Sequence, residues 1–242
     1  MIQYPKIIIP TCDKYRNILE ANKYSIDRFG GSDLDVTILG YEKPDFDLGN
    51  WKFVSLGNDT GANNFTNDIS KFFQTFDDEY FIYGNDDCIF TNPINFGLLD
   101  KMCELIPNIS KFGRIWLLNA PAEFYGVSKI IKDFGCYKIE EINQDTHYRL
   151  SLQYSLWKTS YFKKYLTPNI SPWGWEIRDV ARNDGYSILL PTNNQVIGVG
   201  HVMKKGTYLP NWFNSVHGLP TELTQKDIDI ILNIFNKHKF LN

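Results

Sequence analysis

Apolar residues in this chain gather in short, β-branched runs separated by segments of helical period. The run at 6–10, Lys-Ile-Ile-Ile-Pro, does not alternate, which predicts a strand buried on both faces of a parallel sheet. It stops at Thr11-Cys12-Asp13, where Asp13 or Thr11 can cap a helix over 14–29 that Gly30-Gly31 ends. A second strand over 35–40 completes an opening β-α-β unit, and a polar loop over 41–50 leads to a third strand over 51–56. The Gly- and Asn-rich stretch 57–64 is either a surface loop or a substrate loop. A helix over 65–76 follows, with Thr66 as a possible cap and Ile69, Phe72, Phe73 and Phe76 on one stripe.

Tyr80-Phe81-Ile82-Tyr83 then predicts a buried strand that ends abruptly at Gly84-Asn85-Asp86-Asp87 before the chain turns apolar again at Cys88-Ile89-Phe90. Further along, the pattern predicts helices over 95–107, 159–166 and 171–184 and strands over 114–118, 152–157 and 186–190. Residues 121–143 alternate apolar and polar without clear caps and stay unassigned, and 199–208 reads as a loop. Thr224 and Asp227 have capping-box spacing ahead of the stripe Ile228, Ile231, Leu232 and Phe235, and Lys237-His238-Lys239 suits the helix end. That helix is expected to dock on the surface; membrane-surface or oligomer contact is the alternative. Strands alternating with helices predict an α/β fold with a mixed, mostly parallel sheet flanked by helices.

Composition narrows the function classes. The chain has 242 residues, 43% hydrophobic and 15% aromatic, enough to build a core. Net charge is −3 and no basic run stands out, so nucleic acid is not an expected partner. Four cysteines, Cys12, Cys88, Cys103 and Cys136, lie far apart without a CxxC pair, which suits reduced thiols and argues against structural zinc. The N-terminal apolar stretch is too short for a signal segment, and no window approaches the ~20 apolar residues of a membrane span. A cytoplasmic location follows as the expectation, that of the host cell for a phage-encoded protein.

The chemistry centres on Asp86 and Asp87. Adjacent carboxylates raise each other's pKa unless a cation sits between them, and hard oxygen ligands suit Mg²⁺ or Mn²⁺. Asn-Asp-Asp is equally good turn chemistry.

Beside the Thr11-Cys12-Asp13-Lys14-Tyr15 loop and the Ser171-Pro172-Trp173-Gly174-Trp175-Glu176 segment, this strand end resembles that of a GT-A glycosyltransferase. The likeness is to small bacterial and phage sugar transferases and runs over about 6–208. It implies a single GT-A (Rossmann-like) domain over 1–242, with a nucleotide-binding half over about 1–92, an acceptor-binding half over about 93–215 and a C-terminal helix over about 224–239. It also implies a nucleotide-sugar donor, UDP- or GDP-linked, a glycan or other hydroxyl acceptor, and Mn²⁺ or Mg²⁺ on the diphosphate. Asn85-Asp86-Asp87 falls on the family's Asp-x-Asp motif with Asn in first place, which leaves metal coordination chiefly to Asp87 with Asp86 in support.

By the same resemblance, Thr11, Asp13 and Tyr15 line the nucleotide pocket, with Asn64 on that side of the sheet and His201 as a third metal ligand. Lys204 and Lys205 meet the diphosphate, and His217 is the competing histidine. Glu176 is the expected general base, with Asp179 behind it, because an inverting transferase needs a carboxylate to deprotonate the acceptor hydroxyl. Trp173 and Trp175 offer faces for a sugar ring. Local chemistry offers plainer roles: a helix cap for Asp13, a first-turn acid for Glu176, a solvated basic turn for the lysines and a hydrogen-bonded loop residue for His201. Two other functions fit less of the pattern. One is a carbohydrate-binding module using Trp173, Trp175 and Trp212. The other is a nucleotidyltransferase, whose Gly-rich phosphate loop is missing from Pro10-Thr11-Cys12-Asp13-Lys14.

Overall fold

The computed structural model describes residues 4–119, 125–204, 207–213 and 220–241. The apolar runs become β1 (Ile7–Pro10), β2 (Val36–Gly40), β3 (Lys52–Ser55) and β4 (Tyr80–Tyr83). Past the acids come β5 (Cys88–Phe90), β6 (Phe112–Trp116), β7 (Val127–Asp133), β8 (Lys138–Ile142), β9 (Ser155–Lys158) and β10 (Ser187–Thr192). Nine of these form one sheet in the order β3-β2-β1-β4-β9-β6-β10-β8-β7. Only β9 and β8 run against the others, so the sheet is mixed and mostly parallel in direction.

Alternate strand residues feed two cores. Ile7, Ile9, Ile38 and Ile82 pack under α1 (Leu19–Gly30) and α3 (Phe96–Leu105). Ile8, Leu39, Phe81, Tyr83 and Trp157 pack under α2 (Phe65–Thr75), α4 (Thr159–Lys164) and Trp175 of α5 (Pro172–Glu176). A third cluster docks α6 (Gln225–Lys237) through Ile231 and Phe235 against Ile18, Ala21 and Trp212. The Thr224–Asp227 capping box that opens α6 is present.

The chain leaves β1 outward through β2 and β3, then returns to β4 on the other flank of β1. That reversal makes a crevice at the carboxyl ends of β1 and β4, the place where open α/β sheets bind ligands.

Several local expectations are corrected. The first helix opens as a 3₁₀ turn, Arg16–Ile18, without a side-chain cap, because Thr11 and Asp13 are engaged elsewhere. Thr66 lies inside α2 and its hydroxyl accepts from Ile170 N at 3.0 Å. The helix expected over 171–184 breaks after Glu176. Arg149 Nε takes the carbonyl of Ala181 at 2.7 Å, and Arg178 reaches Tyr165 O and Thr167 Oγ1, so only a 3₁₀ turn, Asp179–Ala181, follows.

Residues 127–142 are an edge hairpin whose outer strand is mostly exposed and carries Lys129 and Lys132, a charged edge. The stretch expected as a loop over 199–208 contains β11 (Val199–His201), β12 (Met203–Lys204) and β13 (Thr207–Tyr208), formed by pairing that local pattern does not reveal. Among the described residues no helix is long and apolar enough to cross a membrane.

Candidate active site

The acidic turn is pinned from several sides. Gly84 N donates to Ile8 O at 2.9 Å, and a Cβ at Gly84 would press on the Ile9 and Tyr154 side chains at 3.0 Å, so a larger residue would have to shift them where β4 ends. From α1, Asn22 Nδ2 donates to the Asp86 carbonyl at 2.6 Å, and Ser25 Oγ accepts from Phe90 N at 3.1 Å. Asn22 and Ser25 are fully buried polar residues on an otherwise apolar helix face. That interruption of the stripe is the sequence signal that could have placed them at the site.

The two acids part company. Thr11 Oγ1 donates to Asp86 Oδ2 at 2.8 Å. Burial, with the Asp87 charge beside it, pushes the Asp86 carboxyl up to about 7 despite that bond. Asp87 turns instead toward β11, which pairs antiparallel with β5 and sets His201 opposite Cys88. Ligand atoms of Asp87, Cys88 and His201 lie within 4.8 Å of one another, and Asp86 is not among them. Gly200, beside His201, lets the Trp212 backbone pack against β11, since a Cβ there would strike the Trp212 carbonyl.

The Asp87 carboxylate suits a hard cation such as Mn²⁺, His201 adds a nitrogen ligand, and Asn85 Oδ1 in the same turn is buried without a hydrogen-bond partner among the described residues, so the residues fit a cation site. Cys88, a lone cysteine directly after the acids, carries no metal-ligand spacing in the sequence. Its Sγ is fully buried 3.3 Å from His201 Nδ1, and burial together with Asp87 holds its thiol far above the usual range, which keeps it a neutral neighbour of the imidazole.

Glu176 ends α5, whose N-cap Ser171 accepts from Gly174 N at 3.0 Å. Its Oε1 accepts from Leu152 N at 2.7 Å and Ser151 Oγ at 3.3 Å. Burial raises its pKa; the two hydrogen bonds and the Arg114 charge oppose that rise, and Asp87 adds to it. The Tyr83 hydroxyl, driven well above its ordinary value by burial, also feels the charges of Asp86, Glu176 and Asp87. The acidic turn and Glu176 therefore lie within electrostatic reach of the same buried hydroxyl near the end of β4.

Other expected residues sit as follows. Asp13 accepts from Glu42 N at 2.9 Å and receives no helix. Tyr15 packs against the cluster holding Val202 and Met203. Asn64 is tied to Thr60 Oγ1 at 2.9 Å and Asn67 at 3.1 Å, and Asn67 reaches on to Asn169 ahead of α5. Lys204 is exposed on β12, while Lys205 and His217 lie outside the described residues.

Asp179 is half exposed and pairs with His147 at 3.0 Å and Arg182 at 3.3 Å, a surface network. Trp173 is 65% exposed, but Trp175 is 0% exposed and packs on Phe162 at 5.2 Å, so it is a core residue and offers no face to an acceptor. With Trp212 also buried, a binding module built on three tryptophans keeps only Trp173.

No protein-family model matches the sequence, and no curated protein sequence does either. Solved structures are similar in fold. The S. aureus TarS fragment 1-349 aligns with a TM-score of 0.51 at 15% identity over 97% of this chain and 71% of its own. The same fragment in complex with UDP-GlcNAc gives 0.50 at 15% identity over 96% and 72%. The glycosyltransferase GlyE of Streptococcus pneumoniae TIGR4 gives 0.42 at 12% identity over 76% and 45%. The nine-stranded mixed sheet flanked by helices is the GT-A glycosyltransferase fold.

Proposed function

We propose that this chain is a metal-dependent glycosyltransferase that moves a sugar from a nucleotide-sugar donor to an acceptor hydroxyl. The observation that carries the proposal is the acidic turn at the switch point between β1 and β4, where Asp86 is held by Thr11 and Asp87 meets His201, with Glu176 within electrostatic reach of the same end of β4. Asp87 and His201 would hold Mn²⁺ or Mg²⁺, with the Asn85 amide in the same turn as Asp87. A divalent cation there supplies positive charge to the diphosphate leaving group. Thr11, Asp13 and Tyr15 border the nucleotide, and Lys204, with Lys205, is available to the phosphates as a point charge.

Glu176 is the general base. Two donors hold Oε1, which leaves Oε2 to take the proton from the acceptor hydroxyl. A base on the acceptor side is what an inverting displacement needs. Trp173, the exposed aromatic three residues before it, is a platform for the acceptor sugar.

A UDP-sugar is the first donor to test, because the TarS fragment is similar in fold and was solved with UDP-GlcNAc. The experiment is a thermal-shift panel of UDP, GDP, CDP and dTDP, each with and without Mn²⁺. A nucleotide at about a hundred times its dissociation constant stabilises the native state by ~2.7 kcal/mol. A Mn²⁺-dependent shift with one nucleotide, lost in Asp87→Ala, is the expected result. No shift with any nucleotide would overturn the transferase.

A further inference from the structure

Arg114 lies in β6 at 0% exposure and makes no ion pair among the described residues. Its neighbour Arg149, equally buried, is paired with Asp184 at 3.0 Å, so this fold can supply a partner acid where it needs one. A buried guanidinium without a carboxylate is costly unless something else holds the charge.

Here Nη1 donates to the Ser151 carbonyl and to Ser155 Oγ at 3.1 Å, while Nη2 reaches the Tyr148 carbonyl at 3.4 Å. The indoles of Trp116 and Trp157 lie over the group at 4.4 and 5.0 Å. Tyr148 has φ +58°, a left-handed backbone that a tyrosine adopts only when its surroundings hold it. The loop so gripped, 148–155, is the one whose Ser151 hydroxyl and Leu152 amide donate to Glu176 Oε1.

We propose that Arg114 is a positioning residue for Glu176: through the carbonyls of Tyr148 and Ser151 it fixes the loop whose Ser151 hydroxyl and Leu152 amide aim the carboxylate. The inference rests on Glu176 being that base. The charged and titratable groups around the pair are consistent with it. Facing Glu176 are Arg114, Asp87, Tyr83 and Tyr125, of which Arg114 alone carries a charge that favours the anion. Facing Arg114 are Tyr161, Tyr125, Glu176 and Arg149, and burial brings its own pKa down to about 9.

The test uses the full chain and two readouts, the ¹³C titration of the Glu176 carboxyl, identified by its loss in Glu176→Gln, and the pH dependence of kcat. In Arg114→Met the Glu176 titration moves up by about one unit or more, kcat falls at least tenfold, and donor KM holds. Arg114→Lys keeps the charge, so the titration stays near wild type while kcat falls severalfold. A folded Arg114→Met with unchanged titration and unchanged kcat overturns the proposal.

Should Arg114→Met fail to fold, Arg114→Lys and Ser155→Ala decide, the latter removing one Arg114 contact without touching Glu176. A severalfold loss of kcat at constant donor KM in both supports the role, and unchanged kcat in both removes it. Full activity of Glu176→Gln would instead sink the base assignment, and the carboxyl titration still reports the Arg114 coupling in that event.

Discussion

Thr11 Oγ1 donates to Asp86 Oδ2 at 2.8 Å, a side-chain bond that ties the loop after β1 to the acidic turn after β4 across the switch point of the sheet. The hydroxyl works against burial and the Asp87 charge, both of which disfavour the Asp86 anion. Thr11→Val keeps the shape and removes the donor. A hydrogen bond to a charged group is worth about 1.5 kcal/mol or more, so Mn²⁺-dependent nucleotide affinity should fall about tenfold, and Thr11→Ser should restore it. Isothermal titration of the nucleotide with Mn²⁺ checks this; equal affinity in the valine variant would free Thr11 of any part in the site.

Glu176→Gln should separate binding from turnover. The amide can still accept from Leu152 N and Ser151 Oγ through its oxygen, so α5 and the loop stay in place. It cannot accept a proton at neutral pH. Donor affinity should remain within about twofold of wild type while kcat drops by about 10²–10⁴, the usual contribution of general base catalysis. Full turnover in steady-state assays would move the base to another group.

The N-terminal half of this fold is legible in the sequence because buried parallel strands are unbroken apolar runs, and 6–10, 35–40 and 80–83 are such runs. The acidic turn is legible for the same reason, as the point where a run stops. What joins it to His201 is not. That contact depends on antiparallel pairing of β5 with β11, more than a hundred residues apart, and no local period announces it. The Trp173-Gly174-Trp175 segment misleads in a different way. Residues two apart on a helix point to opposite sides, so one tryptophan had to be buried if the other was exposed. Arg114 opens the apolar strand Arg-Ile-Trp-Leu-Leu, where a lone cation in such a run is the anomaly that marks it.

Opposite effects are therefore expected from the two tryptophans. Trp173→Ala, at a 65% exposed site, should leave the melting temperature within about 2 °C of wild type and raise acceptor KM severalfold. Trp175→Ala, at 0% exposure against Phe162, should cost about 3–5 kcal/mol of stability through the cavity it leaves. Differential scanning calorimetry with acceptor kinetics distinguishes them. An unchanged acceptor KM in Trp173→Ala would remove it from the acceptor platform.

The docking of α6 on α1 carries its own pH dependence. Asp227, buried at the first turn of α6, accepts from Thr224 N at 2.9 Å, Thr224 Oγ1 at 2.6 Å and Tyr24 Oη at 2.6 Å, with Arg28 Nε at 3.4 Å. Burial alone would raise its pKa. The hydrogen bonds and the Arg28 charge outweigh burial and hold the carboxyl down at about 2, below the ordinary 3.8. A carboxyl depressed on folding stabilises the native state above its unfolded pKa, and that contribution fades as pH falls through the folded one.

The stake is about 2 kcal/mol, fully present above about pH 5 and lost toward about pH 2. Asp227→Asn lacks the charge at every pH. The difference in urea-unfolding free energy between wild type and Asp227→Asn should therefore be about 2 kcal/mol near pH 6 and shrink steadily below about pH 4. A difference that stays constant across that range would mean that shape and hydrogen bonding, rather than the carboxylate charge, fasten the C-terminal helix to α1.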